Sequence, residues 1–208
     1  MIYCANLSSP LNPGRLKELL IPNKQMWLRP VFNNPQRRTR WSAALVENPT
    51  GSKLVSIDST LPNRLIAKAL AEKALPYLAA WQLEKAEYTM GKSRFDFLLS
   101  QENHQMALEV KSVTLVQQGT ALFPDAITAR GARHLNELTE IANRKNWAAA
   151  VLFVVQRSDA HRVLAAPEID PVFATALAKA RENGVQIWGV KCKITPRAVS
   201  LAGMIPAE

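Results

Sequence analysis

The chain has 208 residues, 48% of them hydrophobic, and its 26 Lys and Arg against 17 Asp and Glu give a formal net charge of +9. That is enough for one sizeable domain, or one domain with a small companion, around an ordinary core. Only Cys4 and Cys192 are present, which excludes a disulfide scaffold or a zinc cluster. No apolar run approaches the roughly 20 residues of a membrane span, and the start "MIYCANLSSPLNPG" lacks the basic opening and long apolar stretch of a signal peptide. The expectation is a cytoplasmic protein whose basic surface favours polyanions, nucleic acid before anionic membrane.

Residues 1–60 are rich in Pro, Asn and Ser and hold 8 Lys/Arg against 3 Asp/Glu. Their apolar runs predict short strands at 26–32, 41–47 and 53–57, separated by turns at "NPG", "NNP" and "NPTGS". No useful helix is expected there, so 1–60 reads as a small β module, barrel-like or packed on its neighbour. From Asn63, apolar residues recur at Leu65, Ile66, Ala69, Leu70 and Ala74, a helical spacing entered at Pro62 and ended or kinked at Pro76. Strands follow at about 83–88, 94–100 and 106–113. The polar "SQENHQ" joins the last two as an antiparallel hairpin.

A helix at about 126–144 follows the turn "FPDA", with Asp125 as a natural N-cap. "WAAAVLFVVQ" (147–156) is a continuous apolar run, expected for a strand buried on both faces. A helix at 171–183, stopped at Gly184, and a strand at 185–194 complete the pattern. Residues 61–208 thus read as a mixed sheet carrying helices, an α/β arrangement of the α+β mixed-sheet kind.

Within this pattern three charges interrupt apolar strands. Glu109 and Lys111 are two apart and project from one face, with Val110 projecting from the other. Asp96 lies between Phe95 and Phe97 on the preceding strand, and a hairpin turning near 101–104 brings all three together. One reading is an edge-strand salt bridge of Asp96 or Glu109 with Lys111 or Arg94. The other places a hard cation, Mg²⁺ or Mn²⁺, between the two carboxylates. The lysine would then orient a water or stabilise charge on phosphorus, which equips the site for phosphodiester hydrolysis. Gln156, at the end of the buried strand, either reaches the same face or caps the turn into "RSDA".

Two basic groups suit nucleic acid. Thr128, Arg130, Arg133 and His134 lie near the first turns of the second helix, where backbone N–H groups and basic side chains can hold a phosphate. His134, as a lone residue, reads as structural. Arg37, Arg38 and Arg40 beside Trp41 either bind phosphate and stack a base or form a solvated basic loop.

The spacing of Asp96, Glu109 and Lys111 resembles the PD-(D/E)xK nuclease superfamily. More closely, "LPNRL", "SRFDFLL", "LEVKSVTL", "LFPDAITARGARHL", "LFVVQRSDA" and "EIDP" resemble the sugar fermentation stimulation protein A family, nearly continuously from about 58 to 194. The resemblance implies an OB-like barrel over 1–60 joined to a nuclease-like α/β domain over 61–208. It also implies DNA binding, metal-dependent DNA or RNA nuclease activity, and a link to sugar-catabolic genes. Carried across, Asp96 and Glu109 would be metal ligands and Lys111 the catalytic lysine.

The chain also departs from the family. It begins two positions ahead of Tyr3, where the family has further residues, so an incomplete barrel is expected. "CANLSSP" replaces a "CPNTGSM"-like loop, and "KAEY" (85–88) replaces an "EVKY"-like run. Lys68 stands where the family has an acidic residue on the first helix. An ammonium near a dication is repelled, so either Lys68 swings away and Glu72 serves in its place, or the cation binds weakly, and weak binding is the favoured expectation. Two functions follow: Mg²⁺- or Mn²⁺-dependent cleavage, or a DNA-binding regulator on a nuclease scaffold with a weak or silent site.

Overall fold

The computed structural model describes residues 3–6, 16–31 and 39–208. Strands β1 (Tyr3–Asn6), β2 (Gln25–Pro30), β3 (Trp41–Glu47) and β4 (Leu54–Ser56) form an antiparallel four-stranded sheet in that order. It is built from the three predicted strands plus β1, over a small core of Leu19, Val46 and Val55.

Helix α1 (Leu61–Ala71) follows. It stops before Pro76, because Lys73 adopts a left-handed φ of +52° that no helix accommodates. Pro76 instead opens a single 3₁₀ turn over Pro76–Leu78. Three strands come next, β5 (Gln82–Met90), β6 (Ser93–Gln101) and β7 (His104–Val113). The short strands β8 (Val116–Gln117) and β9 (Thr120–Phe123) then lead to α2 (Ala129–Ala142).

Asp125 is not the cap of α2. The helix begins three residues later than predicted, and Thr128 Oγ1 accepts from the Gly131 N–H at 3.0 Å. Beyond α2 lie β10 (Trp147–Val155), β11 (Arg162–Ala165), α3 (Pro171–Glu182), β12 (Gln186–Ile194) and β13 (Val199–Ile205). Asp170 caps α3 through the Phe173 N–H at 2.9 Å, and Gly184, at φ +87°, ends the turn beyond it.

The principal sheet runs β13-β12-β10-β7-β6-β5. Its centre is parallel, with β10 between β7 and β12, and its flanks are antiparallel. Both faces are covered, so β10 is buried along nearly its whole length. Val151, Phe153 and Val155 face Leu135, Leu138 and Phe173 of α2 and α3. Ala150, Leu152 and Val154 face the other way, into the cluster that holds Ile66 and Leu70 of α1. A Leu→Ala change at Leu70, Leu135, Leu138 or Leu152 costs about 2–5 kcal/mol.

The sequence reading missed the small sheet β11-β9-β8 and the edge strand β13. Among the described residues no helix is long and apolar enough to cross a membrane.

Candidate functional site

β6 and β7 pair from Gln101↔His104 as far as Phe97↔Leu108 and then separate. Asp96 stands at the split. Its Oδ2 accepts from the Val110 backbone N–H at 2.7 Å, filling the place of a lost ladder bond. Its Oδ1 accepts from Asn63 Nδ2 at 2.6 Å, from the first turn of α1. The carboxylate is therefore pinned from both strand and helix.

Glu109 and Lys111 project toward α2, as the two-residue alternation requires. Glu109 is 5% exposed. Its Oε1 accepts from Lys111 Nζ at 2.6 Å and from His134 Nδ1 at 2.7 Å. Its Oε2 is buried and has no hydrogen-bond partner among the described residues. His134 is 1% exposed on the inner face of α2, and its Nε2 accepts from Arg130 Nε at 3.3 Å.

These surroundings drive the two carboxyls apart. Burial pushes Asp96 up, and the neighbouring Glu109 charge adds to the rise, against the hydrogen bonds from Val110 and Asn63. Burial would also raise Glu109, but the His134 hydrogen bond and the Lys111 charge outweigh it and hold Glu109 below the usual carboxylate range. Two buried carboxyls that repel each other, one presenting a bare oxygen, fit a hard divalent cation. Among the described residues no group of three or more His, Cys, Asp or Glu side chains is placed to hold an ion. The residues that could serve an ion here are the two carboxylates, and such an ion would keep most of its waters.

Asp96 lies beside the Glu109–Lys111 pair, because its Oδ2 accepts from the N–H of Val110, the residue between them. Gln156 does not join them. It donates to Ser112 Oγ at 2.9 Å, one step beyond Lys111 and so on the opposite face. Its Oε1 accepts from Ser56 Oγ at 2.8 Å, and its backbone carbonyl accepts from the Ser56 N–H at 3.1 Å. It ties β4 to the principal sheet. The turn after it is held by Arg157, which is bidentate to Asp159 at 2.9 and 2.7 Å.

Lys68 is also away from the site. Its side chain is 71% exposed and pairs with Glu72 at 3.8 Å, while Asn63 is the α1 residue that reaches Asp96. Lys68 follows Asn63 by five residues, about 140° around the helix. Arg133 is exposed. Arg130 is exposed and turned onto His134. Arg40 and Trp41 lie at the exposed start of β3, and Arg37 and Arg38 lie outside the described residues.

Asn63 is the residue sequence reasoning passed over, and His134, read there as a structural ring, reaches the site through Glu109. The signal for His134 was its helical position, in phase with buried Gly131, Leu135 and Leu138. A polar ring on an apolar face needs a polar partner, and Glu109 is that partner.

Residues 60–198 match the model of the sugar fermentation stimulation protein RE domain, and residues 11–57 that of the SfsA N-terminal OB domain. The chain belongs to the sugar fermentation stimulation protein family. A homologue of that protein from Shouchella clausii is 44% identical over 195 residues, 94% of this chain and 83% of the relative. One from Moorella thermoacetica is 42% identical over 191 residues, 91% of this chain and 81% of the relative. A solved structure of Pyrococcus furiosus SfsA in complex with Ca²⁺ superposes with a TM-score of 0.84 at 27% identity, covering 93% of this chain and 82% of that one. The SfsA fold therefore spans the four-stranded N-terminal sheet and the principal sheet, with Asp96, Glu109 and Lys111 in the RE-domain match.

Proposed function

We propose that this SfsA-family chain is a divalent-cation-dependent phosphodiesterase acting on DNA or RNA, with Asp96 and Glu109 as the cation ligands. The observation that carries the reading is Glu109 Oε2, a buried carboxylate oxygen without a partner beside a second carboxyl whose ionisation it opposes. A buried carboxylate oxygen left unsatisfied is costly even when its twin is paired, and a cation held by Glu109 and Asp96 would remove that cost. The Ca²⁺ complex of the Pyrococcus furiosus relative supports a divalent ion. Mg²⁺ or Mn²⁺ suits the reaction, because both keep waters and bind phosphate oxygens.

When bound, such an ion lowers the pKa of a coordinated water and offsets charge on the phosphate. Lys111 has a distinct part. Its side chain is 13% exposed, and its ammonium lies against Glu109 and can turn to donate to the attacking water or to a phosphate oxygen as charge grows there. Asn63 and the Val110 N–H orient Asp96. The net charge of +9 gives the attraction that gathers the polyanion.

The test is a cleavage assay on plasmid DNA and on single-stranded RNA, with Mg²⁺ and Mn²⁺ titrated into wild type and Glu109→Gln. Wild type should cleave only with metal, and Glu109→Gln should lose about two or more orders of magnitude in rate. Equal rates in the two proteins would remove the assignment. A binding-only regulator would instead retain DNA affinity, falling steeply with salt, without any metal-dependent cleavage.

A further inference from the structure

Beyond its two carboxylates and lysine, the site holds a buried ring, His134, with one nitrogen on Glu109 and the other on Arg130. We infer that His134 is a positioning residue, which fixes Glu109 through Oε1 and so presents Oε2 to a divalent cation. The inference rests on the proposed cation-binding role of Glu109.

The geometry makes the case. Among the described residues Glu109 Oε1 accepts from two donors, Lys111 Nζ at 2.6 Å and His134 Nδ1 at 2.7 Å, while Oε2 accepts from none. Lys111 alone could not enforce this asymmetry. An ammonium on a flexible four-carbon stem can slide between two carboxylate oxygens and close the bare one. His134 cannot slide. It is 1% exposed on α2, and its ring meets Phe95 edge-on with centroids 5.6 Å apart. The donor is thus rigid, and the carboxylate turns to it.

Both ends of the ring specify one tautomer. Arg130 Nε can only donate, so His134 Nε2, at 3.3 Å, is the acceptor. The proton is then on Nδ1, facing Glu109, whose ionised oxygen can only accept. Arg130, which the sequence suggested for phosphate, is engaged in holding this ring. Partners behind a metal ligand commonly change metal affinity by 10–100-fold when removed, and His134 occupies that place for Glu109.

The experiment has two arms on the full chain. In the first, ¹⁵N NMR of the imidazole above neutral pH reads the tautomer directly. A proton on Nδ1 is expected, and Mg²⁺ should move that resonance. A proton on Nε2 would overturn the inference whatever the metal does. In the second, calorimetry measures Mn²⁺ binding to wild type, His134→Leu and His134→Asn. The asparagine amide nitrogen occupies the Nδ1 position and retains the donor. His134→Leu should bind about tenfold more weakly or worse, and His134→Asn close to wild type. Equal binding by His134→Leu, or an asparagine variant as weak as a folded leucine variant, would overturn the positioning role while leaving the proposed function standing. Should His134→Leu fail to fold, the asparagine variant and the tautomer decide: weak binding by folded His134→Asn counts against the role, and near-wild-type binding with the Nδ1 proton supports it. No Mn²⁺ binding by wild type would remove the proposed function itself, and this inference with it.

Discussion

Phe95 and Phe97, two residues apart on β6, are buried on opposite faces of the principal sheet. A regular strand would place them on one face. The alternation breaks at Asp96, where the carboxylate takes the Val110 N–H that a ladder carbonyl would otherwise receive. The carboxyl is therefore part of the backbone architecture as well as of the site. Asp96→Ala should leave that N–H unsatisfied and lower stability by about 1–3 kcal/mol. Asp96→Asn should be far milder, within about 1 kcal/mol of wild type, because the Asn63 amide can turn to accept from it and the repulsion from Glu109 disappears. Both should abolish metal-dependent cleavage. Urea denaturation of the two variants checks the stability order, and a reversed order would mean that Asp96 does not hold the split.

That split explains why the candidate site was only partly legible in the sequence. Glu109 and Lys111 were readable because strand alternation is rigid and charges in an apolar run stand out. Asp96 was readable as their companion, but its Val110 partner was not, because the irregularity follows from a side chain replacing a ladder bond. Asn63 escaped notice, and His134 was read as structural without its Glu109 partner, because each lies on a helix whose rotation relative to the sheet is set by packing across distant segments. Thr128 and Asp125 show the same limit locally. Both are good caps, and the choice turned on Asp170, which accepts from the Thr128 N–H at 2.7 Å from a separate helix. The central strands were predicted within a residue or two, since an unbroken apolar run admits few alternatives. β8, β9 and β11 are too short to carry a period.

Gln156 was a site candidate by position and is a joint by contact. Its side chain bonds Ser56 and Ser112 together. Gln156→Ala should lower unfolding free energy by about 1–3 kcal/mol, as buried partners are left unpaired. Mn²⁺ affinity should stay at the wild-type value. A folded Gln156→Ala protein with normal stability and weakened metal binding would return this residue to the site.

Lys68 supplies a sharper contrast between sequence and structure. Its charge reversal argued for a weakened cation site, yet the side chain is 71% exposed beside Glu72. At that exposure solvent screens the ammonium from the buried carboxyls. Lys68→Glu should therefore leave Mn²⁺ affinity unchanged in calorimetry and alter stability by no more than about 0.5 kcal/mol. A clear tightening of Mn²⁺ binding would mean that α1 turns a different face to Asp96.

Asp170 links the two helices that cover the site's side of the sheet, and its charge makes that link sensitive to pH. The carboxylate accepts from Thr128 N–H before α2 and from Phe173 N–H in α3, and these backbone hydrogen bonds hold it below the usual range. Gly131 lets the helix starts approach, because a Cβ there would lie 2.8 Å from Thr128 Cγ2 and 3.1 Å from Phe173. A carboxyl whose folded value is depressed stabilises the fold fully above its unfolded value, about 3.9 for Asp. The contribution is lost as pH falls through the lower, folded value. Asp170→Asn keeps one acceptor for Phe173 but removes the charge and the second acceptor. At neutral pH it should cost about 1–2 kcal/mol. The gap from wild type, measured by urea denaturation across an acid series, should narrow below about pH 4. A gap that stayed constant into acid would show that shape, and not ionisation, joins α2 to α3.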